Sequence, residues 1–441
     1  MKRCIDPHFA LARIGLAKIF DGEDQPANAL QQIRAAQADR SRLSARDALY
    51  VDAWAASYTE PAKSLEKWKL LASVYPDYFP GIGTYAYFLS QFGNRFSEAI
   101  PYLEQSASPK NPHRATSEYL LGAFYVEAGR YADAIRAFSR SVSDGAHFQN
   151  ALYASAYAAQ RKFKLATEVL ERGKPSGARS FDIINSSTTI AIALDQGNWT
   201  EADKLLATTR SRAESLGPRV MGRYAGMALS LQALNGTSTA VQIAAIKDYL
   251  AKEKKALAQA DKVDQSELKF QIVLAAYLAA RAGNAELAEQ ALAAAGPKSD
   301  ADTSVSENLR VVARAELLRA SGKPQEALAM LKAMVNGSEL YITHVALIDA
   351  YADIHDNKGA LGEARWLSSH RGRAYVESNM LFTLTPFNVV ESDLALLRTA
   401  ELAYASGNAA EAQHALNEFQ NAWPAAARLP WVMQRINKLH H

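Results

Sequence analysis

The chain has 441 residues, room for about three ordinary domains unless it is built of repeats. Hydrophobic residues make up 49% and charged residues 22%, which excludes a disordered chain. A net charge of +3 is too small to argue for nucleic acid or acidic lipid from the whole chain, and a single cysteine, Cys4, excludes an internal disulfide framework and a multi-cysteine zinc site.

The first residues, Met1 to Pro7, are basic but carry no apolar stretch, so no signal peptide is expected, and no run reaches the roughly 18 apolar residues of a membrane span. Residues 5–12 read as the start of a repeat inside a longer array. Ala29, Ser64, Ala99 and Ala134 then recur at intervals of 35 residues. Four residues after each stand Ile33, Trp68, Leu103 and Phe138. A small side chain lets two helices approach closely, and a large one a turn later fills the next layer. The passage from Tyr119 to Val142 gives the full unit. Leu121, Gly122 and Tyr125 mark one helix, Gly129 ends it, and Tyr131, Ala134, Ile135 and Phe138 begin a second. This pattern resembles the tetratricopeptide repeat (TPR), a helix–turn–helix unit stacked into a superhelix.

Downstream the phase loosens. Ala166 with Leu170, Ala202 with Leu206, Ala288 with Leu292, Ala327 with Leu331 and Ala412 with Leu416 keep the pair, and Ala360 with Ala364 and Trp366 is a poorer match. Gly197, Gly283, Gly322 and Gly407 mark turns, while Pro76, Pro112, Pro175 and Pro218 mark junctions. The expected fold is all-α, a right-handed TPR-like superhelix of about eleven hairpins. Its divisions are a regular array over 1–217, a long irregular hairpin over 218–263 and a TPR-like array over 264–370. A partly extended insertion over 371–390 and a last hairpin with a capping helix over 391–441 follow.

Repeat phase places Tyr85, Phe88, Gln91 and Phe92, then Tyr119, Ala123, Val126 and Glu127, then Phe148, Leu152 and Ser155 on the concave face. Tyr85, Phe88, Phe92, Tyr119 and Phe148 are the expected apolar anchors of a partner-binding groove, although aromatic residues at helical spacing also serve as packing. The Lys, Arg and Asn set with which TPR clamps hold a terminal carboxylate is missing from these positions.

Other motifs fit ordinary helix chemistry better than catalysis. Gly81, Gly83 and Ala86 match a relaxed dinucleotide fingerprint, but no strand precedes them, and a helix start is expected. Gly322-Lys323 lacks the rest of a phosphate loop, and His344, His355 and Asp356 read as helix and turn residues rather than metal ligands. Asp195, Glu201, Asp203, Glu391 and Asp393 are carboxylates expected at helix N-termini, where the dipole favours them. Arg161, Lys162, Lys164, Arg172, Lys174 and Arg179, like Lys252, Lys254 and Lys255, read as solvated faces.

Residues 42–54 and Tyr75-Pro76-Asp77, with 388–397, resemble the C-terminal TPR arms of bacterial signalling proteins, among them the peptide-modification-system cyclases. That resemblance implies a sensing or docking arm whose output domain, a cyclase, kinase or winged helix, is not in this sequence. The expected function is a non-enzymatic module binding a protein or peptide, with a homodimer also open and no cofactor, metal or nucleic acid. The expected place is the cytoplasm, or the periplasm within a membrane-tethered protein. The alternatives are an α/α-toroid glycan hydrolase with two facing carboxylates and a self-associating scaffold.

Overall fold

A computed structural model describes residues 9–145, 150–172, 179–378, 382–424 and 428–439. Among the described residues the regular structure is 24 α-helices and one short 3-10 turn, with no strand. Most helices pair as consecutive hairpins. These are α1 (Ala10–Gly22) with α2 (Pro26–Ala38), α3 (Ala45–Thr59) with α4 (Pro61–Val74), α5 (Phe79–Gly93) with α6 (Phe96–Ser106) and α7 (Arg114–Glu127) with α8 (Tyr131–Ser143). Then come α9 (Ala151–Ala158) with α10 (Phe163–Arg172), α11 (Arg179–Asp195) with α12 (Trp199–Leu216), α13 (Pro218–Gln232) with α14 (Thr239–Gln259) and α15 (Gln265–Arg281) with α16 (Ala285–Ala295). The last are α17 (Ser304–Ala320) with α18 (Pro324–Lys332), α19 (Tyr341–Asp353) with α20 (Asn357–Ser369) and α22 (Thr385–Ala405) with α23 (Ala409–Ala422). A short helix, α21 (Arg371–Val376), joins the final two hairpins, and α24 (Pro430–Leu439) follows them. The chain is an all-α solenoid of eleven hairpins.

The repeating pair explains the stacking. Ala29, Ser64, Ala99 and Ala134 are fully buried, as are Ile33, Trp68, Leu103 and Phe138. A Cβ on Gly122 would come within 2.9 Å of the Phe138 ring, so the first helix needs a residue without a side chain where the second crosses it. Ser64 takes the small position in its hairpin and its hydroxyl lies 2.6 Å from that of Ser57, which accepts from Trp68 Nε1 at 3.1 Å. In the looser units the small residue stays buried, but Leu170, Leu206 and Leu292 are only half-buried. Helices α13 and α14 form a long hairpin with Gly236 in its turn at φ 84°.

The segment 371–390 differs from its expected form. It is not an extended insertion: it holds α21 and, from Thr385, the start of α22, with Pro386 in the first turn where its missing N–H costs nothing. Its apolar and aromatic residues reflect burial on every side rather than a strand. Val376, Leu384, Phe387, Val389 and Val390 are all essentially inaccessible.

The array also comes back on itself. Helix α5 of the third hairpin packs against α17 of the ninth, and α1 touches α11. At the far end α24 buries Val432 and Ile436, while Arg435 pairs with Glu401 at 2.7 Å. No helix among the described residues is long and apolar enough to cross a membrane.

Candidate functional site: an occupied concave face and two open surfaces

First helices line the inside of a solenoid. Helix α22 packs on α11 and α13, stacks Phe387 edge-on with Tyr277 of α15, and touches α19. It therefore runs along the concave face, and 16 of its 21 residues are buried. Helix α21 sits against α7 and α9. A Cβ on Gly372 would overlap the carbonyl of Val126, so glycine is what lets α21 reach α7. Arg373 lies 3.5 Å from Glu127, and Ser187 donates to the Phe382 carbonyl at 2.7 Å. The chain itself fills this part of its concave face.

The expected anchors lie as follows. Phe88 packs with Trp54, Trp68 and Phe92, the last stacked at 4.5 Å. Tyr85 meets Tyr102 of α6 edge-on at 4.9 Å, and Tyr119 meets Phe138 of α8 at 5.5 Å. Tyr85 and Phe88 are 2% and 6% exposed, whereas Phe92 and Tyr119 are half-buried. Phe88 and Phe92 thus share a cluster, while Tyr85 and Tyr119 join two others. Phe148 lies outside the described residues.

The occupying segment is held by charge. Asp195 ends α11, and Asp393 lies inside α22. Neither starts a helix, nor does Glu391; of the five carboxylates only Glu201 does so usefully, in the first turn of α12 beside the Asn198 cap. Arg161 donates to Asp195 at 2.8 Å and to Asp393 at 2.7 Å. Arg371 donates to Asp195 at 2.6 and 2.8 Å and to Asp393 at 2.9 Å. Tyr375 OH completes Asp195 at 2.5 Å, and Trp423 Nε1 completes Asp393 at 3.2 Å. Both carboxylates are fully buried. Burial and the Asp195 charge push the Asp393 carboxyl up to about 7 against the pull of Arg161 and Arg371. Glu391 is also buried, yet Arg398 and Arg281 overcome that cost and hold it below the usual carboxylate range. These acids are engaged in internal ion pairs with arginines.

Three of the contacts between distant hairpins come from one position in the repeat. Two residues before a second helix begins, the backbone is left-handed at Gly129, Gly197, Gly283, Gly322 and Gly407. At the same place Asp24, Asn94 and Arg161 take φ values of 57°, 53° and 58°. Asp24 accepts from Arg223 of α13 at 2.8 Å. Asn94 donates to the Glu339 carbonyl at 2.7 Å and to Glu377 at 3.2 Å. Arg161 bridges Asp195 and Asp393, as above. This site went unread in the sequence, although the signal was there: a side chain at the repeat's glycine position.

The remaining candidates separate. His344 is buried between Glu363, at 2.6 Å, and Glu339, at 3.3 Å, and stacks on Trp366. His355 is exposed in the turn before α20, and Asp356 caps that helix by accepting from the Gly359 N–H. Among the described residues no group of three or more His, Cys, Asp or Glu is placed to hold a metal ion. Gly81, Gly83 and Ala86 all lie within α5. Lys162, Lys164 and Arg172 are exposed, whereas Arg161 of the same stretch points inward.

Two surfaces among the described residues are open to solvent. Along α1 and its N-cap residue Phe9, the exposed Phe9, Ala12, Leu16 and Ile19 stand at spacings of 3, 4 and 3, a single helical face. Phe9 and Ile19 are 56% and 62% exposed. The corresponding faces of α3, α5 and α7 are covered by the second helices α2, α4 and α6. The other surface is a cleft of about 590 Å³ between α6, α7 and α8.

No family model matches the chain, and no curated protein does. Among solved structures 52 chains match. One, from the structure of Naa15/Naa10 bound to HypK-THB, is 13% identical with a TM-score of 0.27. The match covers 98% of this chain and 66% of that one, so the chain spans just under two thirds of that neighbour's length. The reading below rests on the chain's own geometry.

Proposed function

We propose that this chain is a non-enzymatic scaffold that binds a protein partner, with a regulatory role of the kind its resemblance to bacterial signalling arms implies. The observation that carries this reading is the α1 face. Apolar side chains spaced along one exposed helical face are the surface that a preceding second helix covers on α3, α5 and α7. We place the partner site on this α1 face rather than in the concave groove, which α21 and α22 occupy in part. The buried acids favour a scaffold over a glycan hydrolase, because each fully buried pair is consumed by arginines.

Photo-crosslinking tests the reading. Leu16 and Ile19 are replaced one at a time by benzoylphenylalanine in cells of the source organism, with exposed Lys254 of α14 as the reference position. A discrete polypeptide adduct at both α1 positions and none at Lys254 is expected, and an adduct of twice the chain mass identifies the partner as a second copy. Equal yields at all three positions would sink the proposal.

A further inference from the structure

The first hairpins repeat at intervals of 35 residues, so three intervals carry Leu16 and Ile19 of α1 onto Leu121 and Phe124 of α7. Those two counterparts are each 3% exposed, whereas Leu16 and Ile19 are 40% and 62% exposed. On α7 the cover is the preceding second helix. Phe124, near the end of α7, meets Phe96 at the start of α6 edge-on at 5.0 Å, and Ser117, near the start of α7, lies 2.8 Å from Ser106 at the end of α6. The covering helix therefore runs antiparallel, with a large apolar residue against Phe124. On α1 the same face is bare. Gly15 lies in its middle, and nothing stands within 4 Å of where its Cβ would be, so another backbone can come close there.

We propose that a second copy of this chain covers the face with its own, the two α1 helices packed antiparallel about a two-fold axis level with Ile14. This rests on the scaffold reading and names its partner. The spacing selects the occupant. Steps of 3, 4 and 3 read the same in both directions, so a two-fold axis maps the face onto itself. Phe9 of one copy then stands against Ile19 of the other, and Ala12 against Leu16, a small side chain opposite a large one. Phe9 takes the place that Phe96 holds against Phe124, which continues the stacking contact of the array. Charge selects the antiparallel sense. Helix α1 has no acidic residue in its first turn and no side-chain cap, and antiparallel packing sets this positive end beside Asp21 and Glu23 of the other copy. One face offers roughly 300 Å² of apolar surface, against the roughly 800 Å² per partner of a standard stable interface. The dimer is accordingly weak and reversible, and its two-fold symmetry stops it at two copies.

Sedimentation equilibrium of the full chain tests the association, and cysteine pairs test its geometry. The expected result is a reversible monomer–dimer equilibrium with a dissociation constant of about 10–100 μM. Leu16→Lys and Ile19→Lys change exposed side chains, which does not threaten folding, and each is expected to weaken the dimer at least tenfold. At 1.5 Å per residue the two Gly15 positions lie about 3 Å apart along the helix axes and the two Ile19 positions about 15 Å apart. In a Cys4→Ser background, Gly15→Cys is therefore expected to oxidise to a covalent dimer and Ile19→Cys is not, since a disulfide needs Cα atoms within about 7 Å. Equal linking at both positions, unchanged association in both lysine variants, or a chain still monomeric at ten times the expected constant overturns the proposal. The two readings fail separately. A monomeric chain whose α1 positions still give a polypeptide adduct of another mass overturns the second copy alone, whereas a monomeric chain with no α1 adduct overturns the scaffold reading with it.

Discussion

The turns at Gly129 and Arg161 occupy the same place in successive hairpins and share a left-handed backbone, with φ of 70° and 58°. Gly129 resolves the turn and has no side chain to do more. Arg161 accepts the strain of a left-handed non-glycine residue, about 1–2 kcal/mol, and places a guanidinium between two buried aspartates. Asn94 and Asp24 make the same exchange, at less strain because their short polar side chains tolerate this conformation. Stacking within the array is thus carried by the small–large pair, and part of the closure of the array on itself is carried by substituted turns. The first is apolar and close-packed; the second is polar and depends on charge.

The largest expected effect breaks the second kind of contact. Arg161→Gly relaxes the turn but leaves Asp195 and Asp393 with Arg371 as their one remaining cation. Removing one partner of a buried ion pair costs about 3–5 kcal/mol. Arg161 is partly exposed, at 29%, and the relieved strain offsets part of the loss, so a net destabilisation of about 2–3 kcal/mol is expected. Urea unfolding would measure it, and an unchanged midpoint would mean that the substituted turns do not hold the array closed.

The next prediction is a pH dependence behind the Asp24 turn. Burial and the neighbouring Glu267 charge push the Glu253 carboxyl up from its ordinary value of 4.5 to about 7. A carboxyl raised in the folded state stabilises most below its unfolded pKa, and that contribution is lost as pH rises through the folded one. Glu253 should therefore cost stability progressively from about pH 5 to pH 8. Glu253→Gln is expected to raise stability by about 1–2 kcal/mol at pH 8 and to leave it unchanged at pH 5. Thermal unfolding at the two values checks both arms. A gain of equal size at both would place its cause in packing rather than ionisation.

Much of the stacking was legible in the sequence because the small–large pair is local: both residues lie one turn apart on one helix, and spacing alone reveals them. The hairpin number and the turn glycines followed from the same period. The occupied concave face was not legible. It depends on residues such as Arg161 and Asp393, separated by 232 positions, and no short-range pattern links them. Asp195, Glu391 and Asp393 fit the pattern of helix starts, where the dipole favours acids, and their burial follows only once the arginines meet them in space. Segment 371–390 misled for a related reason. Surrounded on all sides, it loses the one-sided pattern that marks a surface helix, and a uniformly apolar stretch rich in β-branched residues then looks like a strand. The exposed α1 face resembled an ordinary interior repeat for the opposite reason: its pattern is that of a helix with a neighbour.

The smallest expected effect isolates the turn from its contacts. His355 has the same left-handed backbone as Arg161, with φ 61°, and stands at the same place before α20. Its side chain is exposed, and the contacts that fix this turn are made by backbone and by Asp356, which caps α20. Here strain is present without a bridging side chain to offset it. His355→Gly should relieve it and gain stability, by about 0.5–1 kcal/mol once the greater freedom of glycine in the unfolded chain is deducted. Equilibrium unfolding of this variant beside Arg161→Gly gives the same substitution, at the same repeat position, with opposite signs. If both variants lose stability, the backbone is not strained at these turns, and the cost assigned to Arg161 must be withdrawn. If both gain, the ion pairs that Arg161 makes contribute less than the conformation they require.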